Sequence, residues 1–271
     1  MSECSGNCSS CSSSDCADRD MTLKQNSSSN IKKIYAVISG KGGVGKSSVT
    51  CMLASAVQSA GKKVAVLDAD VTGPSVPKMF GITGMATADN NMLNPAVTKT
   101  GIKLMSVNLL LESADTPVVW RGPVISGVIQ QFFTEVAWGD VDYMFVDMPP
   151  GTGDVPLTVF QSLKVDGIIV VTTPQDLVGM IVNKAVNMAK MMNVPIVGIV
   201  ENMSYFQCPN CGEKHYIFGQ SNTAKIAEAQ GLELLASLPI DPSTPAFADK
   251  GAIEDADKQA FMPIVEKIVN D

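Results

Sequence analysis

The stretch IYAVISGKGGVGKSS, residues 34 to 48, sets a short apolar run against a glycine-rich loop that ends in Gly-Lys-Ser-Ser. Its first six residues are apolar on both faces of an extended chain, the pattern of a strand covered by helices on each side. The loop that follows fits G-x-x-x-x-G-K-S/T, with Gly40, Gly45, Lys46 and Ser47 at the fixed positions. In that motif the backbone N–H groups turn inward around phosphate oxygens, which assigns Gly40, Gly42, Gly43, Val44 and Gly45 to a cradle and Ser48 to the helix start. Lys46 brings charge to the β/γ-phosphates, Ser47 offers its hydroxyl to Mg²⁺, and the helix N-terminus adds its dipole. Strand, loop and helix in this order predict a nucleoside triphosphate site.

Outward from the loop, short apolar runs alternate with helical patterns. Strands are predicted at 34–39, 63–68, 102–108, 143–147, 167–173, 196–202 and 233–239. Helices are predicted at Ser47–Ala60, Val124–Val136, Asp176–Met192, Asn222–Gln230 and Ala256–Asn270. Such alternation predicts an α/β fold, a doubly wound and mainly parallel sheet with helices on both faces. There is no internal repeat.

Ligands of such sheets bind at the carboxyl ends of the strands, and acidic residues stand there. LDADVTGPS (67–75) ends the second strand with Asp68 and places Asp70 two residues on, while FVDMPPGTGD (145–154) ends the fourth with Asp147. A carboxylate at a strand tip beside the phosphate loop can hold Mg²⁺ or its waters, and Asp147 is the Walker B candidate. Turn capping is the alternative for each Asp alone. Gly73 and Gly151, next to prolines, suit switch loops that respond to the γ-phosphate. Asn202 ends the sixth strand in ENMS; its amide both donates and accepts, as pairing with an adenine edge requires, and a turn former is the alternative for an Asn at a strand end taken alone. ATP is therefore preferred over GTP, with LPIDP (238–242) expected to complete the base pocket.

Residues 1–30 are mostly Ser, Cys, Asn and Asp. Such a segment buries too little to offset its ordering entropy, so a disordered Cys/Ser-rich tail is expected before a P-loop ATPase domain at 31–271. A formal charge of −7 argues against a nucleic-acid partner, which calls for a basic face. No stretch approaches the roughly 20 apolar residues that span a bilayer, and the basic start and apolar run of a signal peptide are lacking. A cytoplasmic location with no membrane partner is expected, and there thiols stay reduced. Seven cysteines then read as metal ligands rather than bridges.

CPNCGEKH (208–215) is a tight knuckle whose turn lets Cys208 and Cys211 face one metal. Two thiolates are half of what a tetrahedral zinc or an iron–sulfur cluster usually needs. The missing pair comes from the tail or from another subunit. His215, the only histidine, is a third ligand or a surface residue. Cys51, mid-helix, reads as a small hydrophobe, and the Met-rich NMAKMMNVP (187–195) as helix packing. In the tail, Cys4, Cys8, Cys11 and Cys16 are spaced C-x3-C-x2-C-x4-C. Four thiolates can ligate a [4Fe–4S] cluster without a fold around them; zinc, or a merely flexible tail, is the rival reading.

Lys41 makes the phosphate loop unusual. KGGVGKS, with a second lysine at its start, resembles the deviant Walker A class of the MinD and ParA ATPases, the nitrogenase iron protein and the Mrp-type carriers. DADVTGPS (68–75), WRGP (120–123), DMPPGTGD (147–154), ENMS (201–204) and CPNCG (208–212) follow in order. Together these motifs resemble the Mrp (ApbC) family of iron–sulfur cluster carrier ATPases across residues 33–245. The resemblance implies a MinD-like (SIMIBI) fold, with Lys41 reaching across a dimer interface to the partner's nucleotide as an arginine finger does. It implies that Asp70 orients the attacking water and that Asn202 meets the adenine. It further implies a homodimer in which Cys208 and Cys211 of each subunit hold one bridging [4Fe–4S] cluster. ATP binding or hydrolysis would gate transfer of that cluster to apo iron–sulfur proteins. The tail resembles the four-cysteine motif of the family's eukaryotic cytosolic scaffold members, with a shorter first gap. Arg121 belongs to the family pattern without a physical role legible in the sequence. The competing readings are a MinD/ParA-type positioning switch, a nitrogenase-iron-protein-like reductase and a zinc-stabilised NTPase. MinD-like proteins end in a basic amphipathic helix for membranes; ADKQAFMPIVEKIVND is mixed in charge, and a positioning switch leaves Cys208 and Cys211 unexplained.

Overall fold

Val, Ile, Leu and Ala fill both faces of the central strands, and helices on each side cover them. The computed structural model describes residues 22–70, 75–89, 92–111, 122–151, 153–174 and 178–270. Cys4, Cys8, Cys11, Cys16, Gly73, Trp120 and Arg121 lie outside the described residues. In chain order the elements are β1 (Ser29–Ser39), α1 (Lys46–Ser59), β2 (Val64–Asp68), α2 (Val76–Met79), β3 (Ala88–Asp89), β4 (Met92–Leu93), β5 (Ala96–Val97) and β6 (Lys103–Ser106). Then come α3 (Gly122–Thr134), β7 (Gly139–Asp147), α4 (Asp154–Ser162), β8 (Gly167–Thr172), α5 (Val178–Met192) and β9 (Ile196–Gln207). The chain closes with β10 (Lys214–His215), α6 (Thr223–Ala229), β11 (Leu234–Pro239), α7 (Ser243–Asp249) and α8 (Met262–Asn270).

The main sheet runs β11–β9–β8–β1–β7–β2–β6, all parallel, with β10 antiparallel on the far end of β9 and β5 antiparallel on β6. Every residue of β2 and β8 is buried, as a sheet covered on both sides requires. The helices form two contacting sets. One joins α1 to α2 and α8, and α2 to α7; the other links α3 to α4, α4 to α5 and α5 to α6. This is the doubly wound sheet that the alternation predicts. Among the described residues no helix is long and apolar enough to cross a membrane.

The departures from the predicted boundaries have local causes. β1 begins at Ser29, inside the stretch assigned to the tail, and pairs with Gly139 of β7. Ahead of it, the Gln25 amide donates to the Ile31 carbonyl at 2.9 Å and accepts from the Ile31 N–H at 2.7 Å, standing in for a strand partner. Asn26 donates to the carbonyls of Thr134 and Val136. Residues 25 to 30, assigned to the tail, are thus held against the sheet. Exposed Lys32 and Lys33 hide the early part of β1 from an apolar pattern. β9 runs five residues past its predicted end because Tyr205 still pairs with β11 and Phe206 with β10. The predicted helix at Ala256–Asn270 is shorter, starting at Met262 after two 3-10 turns. Pro263 accounts for the late start, since it has no N–H and suits only a first turn. Strand 102–108 stops at Ser106, whose hydroxyl accepts from the Asn108 N–H and opens a 3-10 turn.

Two left-handed glycines meet where the turn after α2 faces the turn after α7. Gly81 and Gly251 have φ of 68° and 67°, and a Cβ on Gly251 would lie 2.4 Å from the Gly81 Cα. Gly251→Ala is expected to lower the unfolding free energy by about 2 kcal/mol or more, from backbone strain and the collision together. Gly127→Ala in α3, where an added carbon meets nothing within 4 Å, is expected to be neutral or slightly stabilising. Urea denaturation midpoints of the two variants check this contrast.

Candidate nucleotide site and cysteine knuckle

β1 lies between β8 and β7, and at its carboxyl end the chain turns through the glycine loop into α1. Gly43 and Gly45 both adopt φ of 78°, a conformation that a Cβ disfavours. Gly45 has a second constraint, because a Cβ there would stand 2.4 Å from Asn202 Nδ2. That amide donates to the Val44 carbonyl at 2.9 Å. Asn202, predicted to meet a base, braces the phosphate loop.

The centre of the site is the Lys46 ammonium, 2.7 Å from Asp147 Oδ1 and 3.8 Å from Asp70 Oδ2. Lys46 and Asp147 are both buried. Asp147 Oδ2 accepts from Ser47 Oγ at 2.5 Å, and Thr50 Oγ1 lies 2.8 Å from Oδ1. Thr50 falls outside the loop motif. Its signal is spacing alone: a hydroxyl one helical turn after Lys46, on the side facing β7. Asp68 sits opposite Asp147 in the β2–β7 register. It accepts from Ser106 Oγ at 3.0 Å and from the Asp70 N–H at 3.2 Å. Burial first, and then the Asp147 charge, push the Asp68 carboxyl well above the usual carboxylate range. Three carboxylates share one buried lysine, so the cluster is short of positive charge. Hard oxygen donors of this kind suit Mg²⁺, which is usually bound through one or two carboxylates plus substrate phosphates.

Two hollows meet at the start of α1. The phosphate cradle, about 220 Å³, is lined by Lys41 through Ser48 with Asp70 and Pro150. The larger cleft, about 440 Å³, is lined by Asn202, Leu238, Pro239, Ile240, Asp241 and Phe218 among others. Gly45 and Ser48 belong to both. The predicted LPIDP segment and Asn202 therefore come together, with a volume that suits a small-molecule ligand. Lys41 is half-buried in the cradle, and its carbonyl accepts from Ser39 Oγ at 3.0 Å. Phe218 and Phe261 also line the cleft; no spacing in the sequence brings either to this place.

β9 runs beyond the sheet and delivers Cys208. The Gly212 N–H donates to the Cys208 carbonyl at 2.8 Å, and the Cys208 N–H to the Glu213 carbonyl at 2.9 Å. Gly212, at φ 75°, permits this turn. β10 folds back on β9, and Lys214 lies 4.2 Å over the Tyr205 ring. Cys208 is half-buried and Cys211 exposed. The backbone N–H of Cys211, then that of Asn210, then the Cys211 thiol hold the Cys208 thiol below its ordinary range. Among the described residues no third Cys, His, Asp or Glu side chain joins these two sulfurs as a metal site. His215 is exposed on β10 and joins no such group, so the knuckle offers two sulfurs. Cys51 is buried in α1, as expected of a small hydrophobe, and burial pushes its thiol well up.

Thr50→Val keeps the shape but removes a hydroxyl from a buried carboxylate. A loss of about 1.5–3 kcal/mol in unfolding free energy is expected, measured by denaturant titration of the nucleotide-free protein.

The sequence matches the ParA-type family described as NUBPL iron-transfer P-loop NTPase over residues 30–271. An iron–sulfur cluster carrier protein of Methanocaldococcus jannaschii is 45% identical over 282 residues, covering 99% of this chain and 97% of that protein. A nucleotide-binding protein of Archaeoglobus fulgidus, solved in complex with ADP, superposes with a TM-score of 0.77 at 43% identity, covering 85% of this chain and 91% of that one. The cell division ATPase MinD of Pyrococcus furiosus shares the fold alone, with a TM-score of 0.62 at 18% identity over 88% of this chain and 98% of that one. With a glycine loop, buried strand-end carboxylates and a two-cysteine knuckle on one edge of the sheet, this chain belongs to the NUBPL iron-transfer P-loop NTPase family.

Proposed function

We propose that this protein is an ATP-dependent carrier of iron–sulfur clusters, working as a homodimer in the cytoplasm. The observation that carries this reading is the continuity of β9. The strand that braces the phosphate loop through Asn202 runs on, within six residues, to Cys208. The shared name of relatives near 45% identity supports the nature of the cargo.

In this reading ATP lies along the start of α1, with its base in the larger cleft and its phosphates in the glycine cradle. Lys46 turns from Asp147 towards the β/γ-phosphates, and Asp70 orients the attacking water. Ser47, with Asp68 and Asp147 behind it, would hold Mg²⁺, which supplies positive charge at the phosphate oxygens. Lys41 reaches the nucleotide of a second copy. Cys208 and Cys211 supply two thiolates per chain, and two chains make the four that a [4Fe–4S] cargo takes. ATP binding or hydrolysis then gates loading of the cluster or its release to apo iron–sulfur proteins. Cys4, Cys8, Cys11 and Cys16 form a second ligand set in the tail.

Anaerobic reconstitution of a Cys4/Cys8/Cys11/Cys16→Ser variant tests the knuckle by itself. One cluster per two chains is expected from iron and sulfide analysis, with a brown colour that vanishes in Cys208→Ser. Colourless protein holding zinc at Cys208 and Cys211 would favour a zinc-stabilised NTPase instead. Lys46→Ala is expected to lower ATP hydrolysis about a hundredfold or more, the order seen when one transition-state donor is removed. Cluster transfer that proceeds equally fast in Lys46→Ala and Asp70→Ala would separate ATP from the carrier cycle.

A further inference from the structure

Past Cys211 the chain takes an indirect route back to the sheet. It pairs briefly as β10, turns where the Gly219 N–H donates to the Tyr216 carbonyl at 3.0 Å, and only then reaches α6. In that turn Phe218, 47% exposed, forms part of the wall of the larger cleft, with Asn202, Pro239 and Asp241. A half-exposed ring beside an amide able to read a base edge is a stacking platform. The same ring sits seven residues after Cys211 on one exposed excursion of the chain.

The neck of that excursion is pinned. Glu201, 1% exposed, accepts from Ser204 Oγ at 2.5 Å and from Ser221 Oγ. Ser204 lies in β9 itself and Ser221 follows the excursion, so a single buried carboxylate ties the returning chain to β9, next to Asn202. Past β9 and Cys208, every residue of the excursion from 209 to 220 is exposed. Cys211, Tyr216 and Ile217 are all exposed. Phe218 is where a ligand in the cleft would touch it.

From this juxtaposition we infer that Phe218 stacks on the base of the bound nucleotide, and that base occupancy thereby holds the Cys208–Cys211 knuckle in one orientation. The inference rests on reading the cleft as the base pocket. It gives the knuckle a route to the nucleotide separate from the γ-phosphate, one that ADP and ATP share. It also makes base recognition part of cluster handling and not of affinity alone.

The test uses the full chain, metal-free and reduced, and follows iodoacetamide alkylation of Cys208 and Cys211 by peptide mass spectrometry. Nucleotide affinity is measured separately by calorimetry. Saturating Mg-ADP is expected to slow alkylation of both cysteines several-fold, while inorganic tripolyphosphate with Mg²⁺, which lacks a base, leaves it unchanged. Phe218→Leu is expected to weaken ADP binding about tenfold, the order of one lost base–aromatic stack, and to abolish protection even at saturation. Phe218→Tyr retains both. Equal protection by tripolyphosphate and ADP would route the coupling through the phosphates and overturn the inference. So would a Phe218→Leu variant with unchanged affinity and protection. Failure of the parent chain to bind ADP at all would instead overthrow the base pocket, and the inference with it.

Discussion

A buried ion pair organises this molecule. The Lys46 ammonium, 2.7 Å from a fully buried Asp147 carboxylate, joins the start of α1 to the end of β7 in the middle of the sheet. Removing one member of such a pair strands a charge in the interior at a cost of about 3–5 kcal/mol, whereas apolar replacement of both is often harmless. Stability alone gives no reason to keep it. Its arrangement makes sense as a set of charges waiting for other charges. Ser47 and Thr50 already donate to the same carboxylate, and Asp68 and Asp70 stand within the cluster.

The parallel sheet decides what gathers around that pair. Because all the central strands point the same way, their carboxyl ends form one edge, and β1, β2, β7, β9 and β11 each contribute to the site there. Register does the fine placement. Asp68 and Asp147 face each other because β2 and β7 align at those residues, and that proximity, added to burial, drives the Asp68 carboxyl up.

β9 connects the two chemistries. Over eight residues the chain of β9 and the residue just past it set out Glu201, Asn202 and Cys208, which respectively close the knuckle's neck, brace the phosphate loop and begin the two-cysteine turn. The knuckle itself is held by backbone turns and a two-residue ladder. Such sparse packing is typical of segments that open at low free-energy cost.

Much of the fold was legible from residues 34 to 48 and from the β–α rhythm, because those signals are local. Glycines at positive φ, a buried strand's apolar run and a helix's lysine–serine start are set by neighbouring residues, and Asp147, Asn202, Cys208 and Cys211 were each marked by their own short motif. Local signals also misplaced the boundaries at Ser29, Gln207 and Met262, where partner strands or a proline decided the outcome. Thr50 on Asp147, Phe218 in the cleft and the reach of Ser221 to Glu201 belong to no motif. Each exists because register and packing bring together residues from separate elements, and an energy that depends on two distant segments meeting is written in neither segment alone.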